Sequence, residues 1–169
     1  MRKALLLIAA LTLVAGTANA QSLTGSYVAP LAPSDLCVNT TYQFMFDVWN
    51  ASTDAEWVDI VEVTFPPGFA ILGNAGYSDP SWSFGFTTIG QTAQWYDSDG
   101  GWGEIYGQDG GQFWCDANTG PLSGNTFEWH LSGDDWGVPP HDVYGTFIIP
   151  VGSTATEPAT WGGVKALYN

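Results

Sequence analysis

What this sequence has least of is positive charge. Lys and Arg together number 3 against 17 Asp and Glu, for a formal net charge of −14. Arg2 and Lys3 stand at the start and Lys165 near the end, with no Lys or Arg between them. A surface without Lys or Arg cannot neutralise phosphates, which excludes nucleic acid as a partner. An anionic membrane surface is equally unattractive. Ion pairs with Lys or Arg are also excluded as a source of stability. The carboxylates must be solvated, hydrogen-bonded to backbone N–H groups, or bound to cations.

Long apolar runs are scarce too. Leu5 to Val14 is too short for a comfortable membrane span. Arg2 and Lys3 precede it and Ala18-Asn19-Ala20 follows it, the order of a secretory signal peptide cut after Ala20. The expectation is a signal peptide over residues 1–20 and one domain over 21–169. The protein would be secreted, extracellular or periplasmic, without membrane insertion. Cysteine is limited to Cys37 and Cys115, a spacing that excludes a CxxC metal or redox site. Export favours their pairing as a disulfide. Such a bridge would close a loop of roughly eighty residues, for which chain entropy credits about 4–5 kcal/mol. Catalytic motifs are missing as well. There is no G-x-S-x-G elbow, and the histidines, His130 and His141, lack zinc-site spacing. The chain is expected not to be an enzyme and to need no cofactor, with Ca²⁺ as the one ion its acids suit.

What the sequence has in quantity is Gly, Pro and aromatics: 21 Gly, 10 Pro and 9 Trp. No stretch after residue 20 reads as a helix. Gly and Pro recur every few residues, with aromatic and β-branched residues between them, which is the rhythm of strands and turns. The clearest strand is Thr41 to Asn50, where Tyr42, Phe44, Phe46 and Val48 form one apolar face. Glu56 to Phe65 should place Trp57, Val61, Val63 and Phe65 on another. Further strands are expected at Leu23–Val28, Phe69–Leu72, Trp82–Thr88, Gln91–Tyr96, Gln112–Asp116, Thr126–Leu131, Val143–Val151 and Thr160–Tyr168. The fold class is all-β: a single antiparallel β-sandwich, Ig-like with a jelly roll as alternative, of about nine or ten strands.

Two segments break the strand rhythm. Asp97 to Gly111 is rich in Gly and Asp, and long loops are where function gathers. Asp97, Asp99 and Glu104, with Asp109, are candidate Ca²⁺ ligands. The EF-hand pattern itself fails, because Gly101 and Gln108 occupy ligand positions. The second segment, Gly133-Asp134-Asp135-Trp136-Gly137-Val138-Pro139-Pro140-His141-Asp142, reads as a rigid corner between strands. Trp102, Tyr106, Asp134, Trp136 and His141 are the candidate ligand-binding residues. Trp129 and Trp57 are expected in the core, whereas Trp82, Trp102, Trp136 and Trp161 sit among loop-forming residues. Exposed Trp faces stack on sugars or anchor protein contacts. Glu56, Glu62, Glu104, Glu128 and Glu157 are available for a glycosidase pair, with Glu128 the best placed.

Several strings look familiar together: Asn50-Ala51-Ser52-Thr53-Asp54-Ala55-Glu56-Trp57-Val58, Phe65-Pro66-Pro67-Gly68, Gly101-Trp102-Gly103, and Gly133-Asp134-Asp135-Trp136-Gly137 with Pro140-His141. From about Leu36 to Ile149 the chain resembles uncharacterised Ig-like modules of bacterial secreted and cell-surface proteins. That resemblance implies a fold and is nearly silent about activity. Such modules usually sit beside other domains or a sorting signal. Neither is read here, so a module acting alone or by self-association is expected. Asn39-Thr40-Thr41 and Asn50-Ala51-Ser52 are glycosylation sequons for a eukaryotic source. The leading expectation is a secreted, non-enzymatic β-sandwich for extracellular adhesion or surface assembly, meeting a glycan or protein surface. The alternatives are a carbohydrate-binding module using exposed Trp residues and a small glycoside hydrolase.

Overall fold

A computed structural model of the chain describes residues 22–53, 56–136 and 139–152. The expected signal peptide, the strand Thr160–Tyr168, Trp161 and Glu157 lie outside the described residues. The described residues contain no Lys or Arg and no helix long and apolar enough to cross a membrane.

The strands are β1 (Tyr27–Ala32), β2 (Thr41–Asn50), β3 (Val58–Thr64), β4 (Ala70–Tyr77), β5 (Phe84–Ile89), β6 (Thr92–Asp97), β7 (Asp109–Asn118), β8 (Thr126–Gly133) and β9 (Asp142–Ile148). They form two antiparallel sheets, ordered β1-β2-β7-β4 and β5-β6-β3-β8-β9. The fold is the all-β sandwich expected from the strand rhythm. The tight β5–β6 hairpin turns at Gly90, whose φ of +63° suits glycine. Two strands run longer than their sequence pattern suggested. Glycines and polar residues extend β4 to Tyr77 and carry β7 back to Asp109, because ladder pairing with a neighbour outweighs weak local propensity.

Alternation supplies the core. Phe44, Phe46 and Val48 of β2 and Phe113 and Ala117 of β7 face Val61 and Val63 of β3, Trp95 of β6, and Phe127 and Leu131 of β8, all fully buried. Rings do the work that Leu and Ile do elsewhere. Phe44 and Phe65 lie 5.0 Å apart, Phe65 and Phe127 5.2 Å, and Trp95 and Phe113 5.6 Å, each edge to face. Truncating one such buried ring costs about 3–5 kcal/mol. Trp82 lies in the β4–β5 loop, as expected, but is buried there and stacked on Phe113 at 5.7 Å. Trp129 packs against the core from a partly buried position.

Trp57 is a correction with a clear cause. The β3–β8 register slips between Val58 and Ile60, which pair with Gly133 and Ser132. Asp59 is the extra residue of a β-bulge, and one extra residue reverses which side chains face inward. Val58 therefore joins Val61 in the core, and Trp57 leaves it half-buried.

The expected Cys37–Cys115 disulfide is not formed; both are free thiols, Cys37 exposed and Cys115 buried. The carbonyl of Cys37 accepts from Thr119 Oγ1 at 2.6 Å, four residues beyond Cys115 along the chain. The Asn50 sequon is also closed, because Asn50 is 0% exposed. Burial, then the neighbouring Asp116, pushes the Cys115 thiol up to about 12. In the native protein a thiol reagent such as DTNB should therefore label Cys37 promptly and Cys115 only on unfolding. Two thiols labelled at equal rates would contradict the buried placement.

Candidate functional site

One end of the sandwich gathers the distinctive segments. The 51–57 connection, the 98–108 loop and the 134–141 corner meet there, with the chain before β1 alongside. Asn50 holds them together. Its Nδ2 donates to Glu56 O and to Ile105 O, both at 2.9 Å, and its carbonyl O accepts from Gln108 N at 2.8 Å. Ile105 is fully buried, and its carbonyl accepts from Val58 N at 3.0 Å, pinning the middle of the 98–108 loop to β3. Gly103 makes this approach feasible: its φ is +105°, and a Cβ there would lie 2.9 Å from Val58 O.

The corner is held by an acid and a histidine. Glu56 is fully buried, and its Oε1 meets His141 Nδ1 at 2.9 Å. A Cβ at Gly133 would fall on Glu56 Oε1, so only glycine fits beside it. Gly133 N donates to His141 O at 2.8 Å and Asp134 N to Trp57 O at 3.1 Å, tying the corner to β3. Asp134 Oδ1 accepts from Trp136 N at 3.2 Å, which fixes Trp136 beyond the strand end.

These ties bring Trp57, Trp102 and Trp136 around one open groove of about 320 Å³, with Asp134 as its fourth lining residue. That volume is at the small end of ligand cavities, which run from roughly 300 to 1,000 Å³. Trp102 is 64% and Trp136 52% exposed. Their rings lie 5.8 Å apart at 83° to one another. Tyr106 backs Trp57, with ring centroids 4.9 Å apart. Of the residues expected at a ligand site, the structure thus unites Trp102, Asp134 and Trp136. Tyr106 packs against Trp57, and His141 pairs with Glu56.

The carboxylates crowd the same end. Asp97, Asp99 and Glu104 each offer an oxygen, all within 4.8 Å of one another. Asp97 Oδ1 accepts from Asp99 N and Gly100 N at 3.0 and 3.2 Å, and Asp99 Oδ1 from Gly101 N at 3.1 Å. Three hard oxygen donors suit Ca²⁺ or Mg²⁺ rather than a soft metal. Burial, then Asp99 and Asp97, holds the Glu104 carboxyl above its usual range. Asp109 stands apart from this cluster, at the start of β7, with its Oδ1 accepting from Gly110 N at 2.8 Å.

Asp59 is a residue the sequence did not flag. The bulge leaves it partly buried, and burial followed by Asp134, Asp135 and Asp97 raises its pKa from 3.8 to about 6. Only the pairing register could have revealed it. A second constellation, also unflagged, crosses the outer face of the five-stranded sheet. Gln94 Nε2 donates to Glu62 Oε1 at 2.6 Å, His130 Nδ1 meets Glu62 Oε2 at 2.8 Å, and His130 Nε2 meets Asp142 Oδ1 at 2.7 Å. Tyr144 stacks on the imidazole at 4.3 Å. Both oxygens of Glu62 are thereby committed, while Glu128 is exposed.

No family model matches the chain, and no curated protein matches it in sequence. Several solved structures are similar to it at low identity. The chitin-binding domain of Chi18aC from Streptomyces coelicolor is 21% identical over 59% of this chain and 85% of that one, with a TM-score of 0.41. A cohesin module of a family 33 glycoside hydrolase from Clostridium perfringens is 13% identical, over 75% and 98%, at 0.46. An uncharacterised protein of Nocardia farcinica with an immunoglobulin-like fold is 16% identical, over 78% and 90%, at 0.43.

The electrostatics of this end generate two predictions. Asp59 binds its proton more tightly folded than unfolded, so ionising it between pH of about 4 and 6 removes stability. The hydrogen bond and charge of Glu56 raise the pKa of His141. Its contribution is therefore full below about pH 6.5 and is lost as pH rises through the folded value. Both effects run the same way, so Tm should fall from pH 5 to pH 8. Asp59→Asn should raise Tm at pH 8 and leave it nearly unchanged at pH 4. An equal rise at both would show that the charge is not the cause. Second, millimolar Ca²⁺ at low ionic strength should raise Tm by roughly 2–4 °C, and Asp99→Asn should blunt the response. A Tm indifferent to both Ca²⁺ and EDTA would remove the cation reading.

Proposed function

We propose that the protein is a secreted, non-catalytic binding module that captures its ligand in the tryptophan groove, serving adhesion or assembly outside the cell. One observation carries this reading. Two tryptophans from separate loops, both more than half exposed, meet edge to face 5.8 Å apart and line one groove with Trp57. Exposing that much aromatic surface in water has a cost that a ligand would remove. Aromatic anchors on rigid supports are also where binding energy concentrates.

A carbohydrate platform of coplanar rings receives less support, because Trp102 and Trp136 are nearly perpendicular. A glycosidase would need an opposed carboxylate pair, and Glu62 is already committed to Gln94 and His130.

Sedimentation with isolated cell-wall material and extracellular polysaccharide tests the reading. The wild-type protein should bind, and the double variant Trp102→Ala/Trp136→Ala should bind at least about tenfold more weakly with its Tm preserved. Unchanged binding by a folded double variant would overturn the groove as the site.

A further inference from the structure

We propose that the groove is an aromatic cage for an alkylammonium group, with Asp134 as its counter-ion. This rests on the groove being the ligand site and assigns the chemistry of what enters it.

Ring geometry comes first. Trp102 and Trp136 at 83° cannot both lie flat beneath one sugar ring. With Trp57 as the third wall, they surround a compact group from several sides. Each indole face carries negative electrostatic potential, so a cation held against several faces gains from each.

Composition of the lining comes next. Among the described lining residues, Asp134 is the one acidic side chain beside three indoles. A neutral sugar asks for several donors and acceptors around its hydroxyls, and the described lining residues are three indoles and one carboxylate. A cation asks for aromatic faces and a single negative charge.

The state of Asp134 is the third observation. Its Oδ1 is occupied by Trp136 N, while its Oδ2 is buried and accepts no hydrogen bond among the described residues. A buried carboxylate oxygen without a donor is costly, and an approaching cation offsets that cost. Asp134, Asp135 and Asp97 all act on Asp59, so this end carries clustered negative charge, and no Lys or Arg among the described residues competes for it. An anionic or neutral ligand would meet this field with repulsion or indifference.

Two sources present this chemistry: a free small molecule with a trimethylammonium head, or an alkylated lysine on a peptide. The test titrates choline, its uncharged tert-butyl analogue, a trimethyllysine peptide and neutral oligosaccharides, following Trp fluorescence and indole N–H resonances. Choline should bind at least about tenfold more tightly than the uncharged analogue, and less tightly as salt rises. Trp102→Ala and Trp136→Ala should each weaken it about tenfold. Asp134→Asn should weaken it several-fold with no loss of Tm, since the amide oxygen still accepts from Trp136 N. Tighter binding of the peptide than of choline assigns the source to a protein partner, and the reverse order to a small molecule.

Equal binding of choline and its uncharged analogue overturns the proposal. So does oligosaccharide binding without choline binding; if Trp102→Ala and Trp136→Ala abolish it, the groove remains the ligand site. If no probe binds, and cell-surface material binds the Trp double variant as well as wild type, both readings fall.

Discussion

Much of this molecule's functional end depends on one buried amide. Asn50 closes β2 at 0% exposure, and its side chain spans two carbonyls on different segments, Glu56 O and Ile105 O. Its Oδ1 also accepts from Ser52 N at 2.9 Å, and its backbone receives Gln108 N. Removing that side chain would take away three hydrogen bonds to buried or partly buried backbone groups, each worth about 0.5–1.5 kcal/mol net. The loop carrying Trp102 and the connection carrying Trp57 thus share an anchor. That is why two stretches roughly fifty residues apart in sequence can build one groove.

The second constraint is the bulge at Asp59. It reconciles Val58 and Val61, both inward, with a strand that otherwise alternates. Its by-products are a tryptophan turned out to the groove and a carboxylate drawn partly out of water. Packing and function are linked here by parity: the same extra residue that keeps the core apolar also delivers Trp57 and Asp59 to the acidic end.

A chain so poor in bases uses histidine where others use Lys or Arg. His141 neutralises the buried Glu56 behind the corner, and His130 lies between Glu62 and Asp142 on the outer sheet face. Both links join different strands or segments. The corner that presents Trp136 therefore rests on a pair whose strength varies with pH.

Strand alternation was legible in the sequence because a pleated strand has a fixed period of two. Phe44, Phe46 and Val48 on one face of β2 follow from it directly. The absence of Lys and Arg across the described residues was likewise plain, as was the concentration of Asp and Trp in two breaks of the strand rhythm. Those features marked Trp102, Asp134 and Trp136 as candidates. Tertiary structure alone decided the rest. A bulge leaves no local mark, so Trp57 and Asp59 could not be placed. A disulfide depends on distance in space, and Cys37 stays exposed beside Thr119 while Cys115 is buried, both as free thiols. The angle between Trp102 and Trp136, which separates a cage from a platform, arises only where two loops meet.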